Sequence, residues 1–131
     1  MVFDTSAIIA FLLNEPDAAR IQSALSEQNR RVMSAVNFLK SQLVCTGGRF
    51  GPDTAVGFER LIQVVQLVVL PFDENQARIA AQAFRRYGKG QGHPAQLNMG
   101  DCAAYALSKT LNEPLLFVGN DFTQTDVSQY S

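Results

Sequence analysis

The chain has no tryptophan, one histidine, two cysteines and five prolines in 131 residues. Cys45 and Cys102 stand far apart without metal-ligand spacing, which excludes a disulfide framework; both read as buried free thiols of a reducing compartment, the cytoplasm. A single histidine, His93, argues against a zinc centre. Neither charge dominates. Eleven basic residues against twelve acidic ones leave a net charge of −1, so any contact with nucleic acid must be made by a local basic patch. The apolar stretch 7–13 is too short for a bilayer, follows Asp4 and has no basic segment before it, so neither a signal peptide nor a membrane span is expected. No repeat, low-complexity tract or long linker divides the chain, and the expectation is one domain over residues 1–131. At 47% hydrophobic composition, such a domain buries roughly two-thirds of its unfolded surface.

What remains is an alternation of two periodicities. Val2-Phe3 is a short apolar run ended by Asp4, and residues 6–13 are helix-prone, so the first unit reads strand, turn, helix. Glu15-Pro16-Asp17 restarts a second helix, with Ala18, Ile21, Ala24 and Leu25 on one stripe. Residues 31–34 predict a short strand, 35–46 a helix closed by Gly47-Gly48, and about 52–65 a further helix. The β-branched run 67–70 before Pro71 has the density of a buried parallel strand. Asp73 and Gln76 have capping-box spacing and open a helix ending near Tyr87-Gly88. Asn98 and Asp101 repeat that spacing ahead of a helix over 103–111, and 115–118 is the last strand. Strands alternating with helices at these intervals predict an α/β fold, its parallel sheet covered on both faces.

In such sheets ligands bind beyond the carboxyl ends of the strands. Asp4 ends the first strand, Asp121 follows the last, and Asp101 sits in the first turn of the helix before it, so all three can share one edge. Singly, each has an ordinary role as a helix cap, a turn residue or a partner of the helix dipole. Together they would repel unless a cation intervened, and an all-oxygen set suits Mg²⁺ or Mn²⁺.

The segments Val2-Phe3-Asp4-Thr5-Ser6-Ala7, 98–106 and 115–122 resemble, in order and spacing, the signatures of PIN-domain ribonuclease toxins of the VapC type. The likeness extends through Pro71-Phe72-Asp73 and 83–94, covering essentially the whole chain. It implies a PIN-like three-layer α/β/α sandwich with a short, mostly parallel central sheet, and a metal-dependent endoribonuclease acting on tRNA or rRNA. By the resemblance Asp4 and Asp101 would be ligands of Mg²⁺ or Mn²⁺, and Asp121 a ligand or a holder of metal-bound water. Thr5 and Ser6 would orient this shell, and Asn37 would support it. A cognate antitoxin of the VapB kind and homodimerisation are implied in the same way. The apolar residues Ile9, Phe11 and Leu12 exceed what one buried face needs and offer a surface for either.

The chain departs from the family at Lys40, where the pattern places a glutamate three residues after Asn37. Val36, Leu39, Leu43 and Val44 form a stripe that includes position 40, which predicts an inward-facing ammonium. Such a group must either extend its tip back to water or find carboxylate partners. If it lies among Asp4, Asp101 and Asp121 it takes the place of metal charge, and weak Mg²⁺ binding with little nuclease activity is expected.

Arg85, Arg86 and Lys89 gather around the end of a helix, with Tyr87 between them and His93 beyond. They either complement the helix dipole or clamp RNA phosphates, with Tyr87 stacking on a base. Three functions stay open: an endoribonuclease, a non-catalytic PIN-fold module that binds antitoxin or RNA, and a receiver-like or phosphatase domain with Asp4 as phosphoryl acceptor.

Overall fold

The computed structural model describes residues 1–27, 30–47 and 50–130. Gly48, expected to help close the third helix, lies outside the described residues. In chain order the elements are β1 (Val2–Phe3), α1 (Thr5–Leu12), α2 (Ala18–Ser26), β2 (Val32–Ser34), α3 (Ala35–Thr46), α4 (Asp53–Val65), β3 (Val68–Leu70), α5 (Glu74–Tyr87), α6 (Met99–Leu111) and β4 (Leu115–Leu116). The fold is α/β, as the alternation predicts, with a four-stranded parallel sheet in the order β3-β2-β1-β4.

Side chains that alternate along the strands divide the interior into two cores. Val2, Val32 and Leu115 face a cluster with Ala83, Tyr87, Leu97, Tyr105 and Leu107 of the α5–α6 side. Phe3, Met33 and Leu116 face Ile8, Ile21, Leu25, Phe58 and Leu61 of α1, α2 and α4. Ile9, Phe11 and Leu12 are partly buried against this second core, so part of the surplus apolar surface expected on the first helix is used within the chain and part stays accessible.

Strand ends differ slightly from the sequence reading, β3 starting at Val68 and β4 stopping at Leu116, and two helix starts differ in more detail. Helix α6 begins at Met99 rather than 103, because Asn98 and Asp101 form a complete reciprocal capping box that fixes Asn98 as N-cap. At α5 only half of the expected box forms: Asp73 accepts the Gln76 amide at 2.9 Å, while the Gln76 side chain donates instead to the Pro71 carbonyl at 3.2 Å.

The strand order sets the place of the chemistry. From β1 the chain steps outward to β2 and β3, then returns with β4 on the other side of β1. The carboxyl ends of β1 and β4 thus flank a topological switch point, where open parallel sheets leave a crevice.

Candidate active site

Asp4 follows β1 directly and is the N-cap of α1, which buries it to 3% exposure at the switch point. Its Oδ2 accepts the Ser6 amide at 3.0 Å and the Ser6 hydroxyl at 2.5 Å, and Ser6 Oγ in turn accepts the Val118 amide at 3.0 Å. Ser6 therefore ties the end of β1 to the segment leaving β4. Oδ1 of Asp4 is buried and without a hydrogen-bond partner. Burial pushes the Asp4 carboxyl above its usual range, against the lowering effects of the Ser6 bonds and the Lys40 charge.

Asp101 is brought to the same place by the capping box, which aims its Oδ2 at the Asn98 amide at 3.0 Å. Burial, reinforced by the charges of Asp4 and Asp121, lifts it to about 6, with the Asn98 bond and Lys40 acting the other way. Asp121 lies exposed in the turn after β4, and its charge acts on Asp101. Among the described residues, no three His, Cys, Asp or Glu side chains stand close enough to hold one metal ion.

Lys40 reaches this edge from α3, but not by the predicted route. Leu39 and Leu43 are 57% and 65% exposed, so the apolar stripe of α3 faces outward. The inward face is Asn37, Ser41 and Cys45, spaced i, i+4, i+8 and fully buried. Lys40 borders that face, half-buried, and its charge lowers both Asp4 and Asp101. It lies against the start of α6, where a Cβ added to Gly100 would meet its Cδ at 2.9 Å and its Nζ at 3.1 Å.

Beneath the carboxylates runs a polar network. The Thr5 hydroxyl donates to the Asn37 carbonyl at 3.2 Å and accepts from Asn37 Nδ2 and from Ser41 Oγ, each at 3.4 Å. Asn37 Nδ2 also donates to the Gly100 carbonyl at 3.1 Å. Thr5 thus pins α1 to α3, while Ser6 holds the Asp4 side chain. Ser41 and Gly100 escaped the sequence reading; the i+4 spacing of Ser41 from Asn37 was the one available signal.

The basic residues separate. Arg85 lines an apolar groove of about 530 Å³ with Leu39, Phe84, Met99 and Ala103. Arg86 turns to Asp126 at 3.6 Å and over the Tyr87 ring at 4.7 Å, and Lys89 is exposed on the following loop. Tyr87 is not available to stack on a base: it is 2% exposed, packed edge-on against His93 and beside Tyr105. The backbone around Lys89 is tethered, since Lys89 N donates to the Leu97 carbonyl and Leu97 N to the Tyr87 carbonyl, both at 2.9 Å.

The sheet order, the buried pair Asp4–Asp101 and the returning β4 define a PIN architecture. The PIN domain family profile matches residues 1–128, and the chain belongs to that family, among its VapC-type ribonucleases. It is 44% identical to Ribonuclease VapC28 of Mycobacterium tuberculosis, over 98% of this chain and 96% of that protein. Among solved structures it resembles M. tuberculosis VapC20, a sarcin-ricin loop cleaving toxin, with TM-score 0.78 and 12% identity over 99% and 98% of the two chains. A toxin-antitoxin complex from Klebsiella pneumoniae gives TM-score 0.69 at 13% identity, over 99% and 98% of the chains. The receiver-like alternative falls with this membership. No helix among the described residues is long and apolar enough to cross a membrane.

The residues can be tested against the divalent ion that the family implies. The orphaned Asp4 Oδ1 and an all-oxygen donor set suit a hard cation. The Lys40 ammonium beside them does not, and among the described residues Asp121 does not gather with Asp4 and Asp101 into a three-carboxylate set. As they stand, the residues do not fit the ion.

Proposed function

We propose that the chain is the toxin component of a toxin–antitoxin pair, built on an RNA-cleaving endonuclease centre whose hydrolysis is strongly impaired by Lys40. The observation that carries this reading is the convergence of buried Asp4 and buried Asp101 at the switch point of the sheet. The family's Mg²⁺ or Mn²⁺, with Asp4 and Asp101 as ligands and Asp121 at the rim, belongs to a Lys40→Glu form of this site. In the chain as it stands, Ser6 orients Asp4 and Asn98 orients Asp101. Arg85, beside the start of α6, is the basic residue best placed to meet an RNA phosphate, with Lys89 further out.

An antitoxin is the protein partner consistent with the family, and a second copy of the chain is expected as well. The groove between α3, α5 and α6 supplies an apolar seat for partner side chains, with Leu39, Met99 and Phe84 among its exposed residues.

The test compares RNA cleavage by the chain and by Lys40→Glu, with Mn²⁺ and with chelator. The glutamate form should cleave in Mn²⁺ and the chain itself far more slowly. Equal rates would remove Lys40 as the cause of impairment. Silence in both forms would favour a second reading, a non-catalytic PIN-fold module that binds antitoxin or RNA, which the presence of Lys40 also supports.

A further inference from the structure

We propose that Lys40 and Gly100 are a matched pair, in which the glycine makes room for an ammonium at the Asp4–Asp101 edge, so that the site carries its counter-charge within the chain and excludes a divalent ion. This inference rests on placing the functional centre at Asp4 and Asp101, but not on any RNA cleavage.

The geometry is specific to position 100. Gly100 lies in the first turn of α6, immediately before Asp101, and has ordinary helical backbone, so no special conformation calls for glycine there. An alanine would favour the helix by roughly 0.5–1 kcal/mol, so the missing Cβ has a cost that something must offset. What occupies the space is Lys40, whose Cδ and Nζ would lie 2.9 and 3.1 Å from that Cβ. One turn earlier on α3, Asn37 fixes the same residue through its carbonyl at 3.1 Å. Helix α3 therefore grips Gly100 twice, through its carbonyl and across its open Cα face.

This seat places the lysine charge where both carboxylates feel it, although Lys40 forms no direct ion pair among the described residues. Asp4 Oδ1 is left without a hydrogen bond, and the Lys40 charge acts on the carboxyl to which it belongs. A divalent ion entering here would be repelled by a fixed cation in a partly desolvated site, where screening is weak.

The pairing makes a prediction that a merely tolerated lysine does not. Mn²⁺ binding to the full chain is followed by the loss of the free-ion electron paramagnetic resonance signal, with the Mn²⁺-induced rise in Tm as a second readout. Lys40→Met, which keeps the stem, should bind Mn²⁺ at least about tenfold more tightly than the chain itself, and Lys40→Glu more tightly again. Gly100→Ala, which leaves every charge in place but displaces the lysine tip, should also raise affinity by several fold, on the order of the effect of an outer-shell change at a metal site. In the Lys40→Met background the same Gly100→Ala change should add little, because the cycle is non-additive where two residues share one contact.

If the chain binds Mn²⁺ as tightly as Lys40→Glu, the inference is overturned, whatever the cleavage results. If Gly100→Ala changes Mn²⁺ affinity equally with and without Lys40, the pairing is overturned even where the charge effect survives. Should Lys40→Glu bind Mn²⁺ tightly and still leave RNA intact, the nuclease reading fails while the internal counter-charge stands.

Discussion

The hydroxyl of Ser6 donates to the carboxylate of Asp4 at 2.5 Å, across two residues at the point where β1 turns into α1. Because the same oxygen accepts the Val118 amide, one small side chain aligns a carboxylate and joins two neighbouring strand ends. Removing it leaves the half-buried Val118 amide without this partner and Asp4 Oδ2 with only the Ser6 backbone amide. Ser6→Ala should therefore cost about 1–3 kcal/mol, read from urea unfolding, and Ser6→Thr should restore most of it. Unchanged stability in Ser6→Ala would mean that water replaces the hydroxyl at no cost.

The C-terminal segment is held by Asp126, which accepts the Tyr105 hydroxyl at 2.6 Å and pairs with Lys109 at 3.2 Å and Arg86 at 3.6 Å. Partial burial alone would raise its pKa, but the Tyr105 and Lys109 hydrogen bonds and the two cationic charges outweigh this and hold it below the ordinary carboxylate range. A lowered folded value means stability that is present above the unfolded pKa and is lost as pH falls through the folded one. Asp126→Asn should flatten the acid limb of a plot of urea midpoint against pH, below about pH 4, and leave the neutral region sloped as before. An identical acid limb in the variant would show that the cluster does not couple to folding.

Both cysteines are buried, and the Cys102 thiol is pushed up to about 11 by burial and then by the neighbouring Asp101 charge. The thiolate is the reactive form, so at pH 8 only about a thousandth of Cys102 is competent even when reached. A disulfide reagent should label neither cysteine in the folded chain, and both in guanidinium. Fast labelling of Cys102 without denaturant would place it outside the packed start of α6.

Arg85 and Arg86 are adjacent in sequence yet differently engaged, one beside the groove at α6 and the other on Asp126. Arg85→Ala should weaken RNA binding and reduce the salt slope by about one charge. Arg86→Ala should act mainly on the docking of the C-terminal segment, with a smaller effect on the slope. The reverse ranking would move the RNA path to the Asp126 side.

The sequence announced the strand-helix alternation well because β1, β2 and β3 are short apolar runs between caps and turns that act locally. The Asn98–Asp101 box is equally visible, yet the helical periodicity that follows it becomes clear only at 103, four residues after the helix starts, as Met99 and Gly100 carry no apolar stripe. Helix α3 shows the limit of periodicity. Its regular apolar residues Leu39 and Leu43 lie on the surface, while the buried face is made of Asn37, Ser41 and Cys45. Hydrophobic spacing identifies a face, not which neighbour covers it. A helix packed on a polar network inverts the expected pattern. Lys40 comes near the carboxylates from beside the polar face rather than on the apolar stripe, and its contact with Gly100 depends on α3 meeting α6, a tertiary fact with no local signal.

The two margins of the sheet are treated unequally. Along β4 the chain doubles back: Leu115 N donates to the Ser128 carbonyl at 2.8 Å and Tyr130 N to the Leu115 carbonyl at 3.0 Å, so that margin is closed by the molecule's own tail. On the other side β3 has no strand beyond it among the described residues, and its Val68 is 50% exposed. Stacking of one chain on another by strand addition is thereby confined to a single three-residue face that Pro71 cuts short. Self-association of the folded protein should proceed through helices, leaving β-mediated aggregation to states in which the tail has come away.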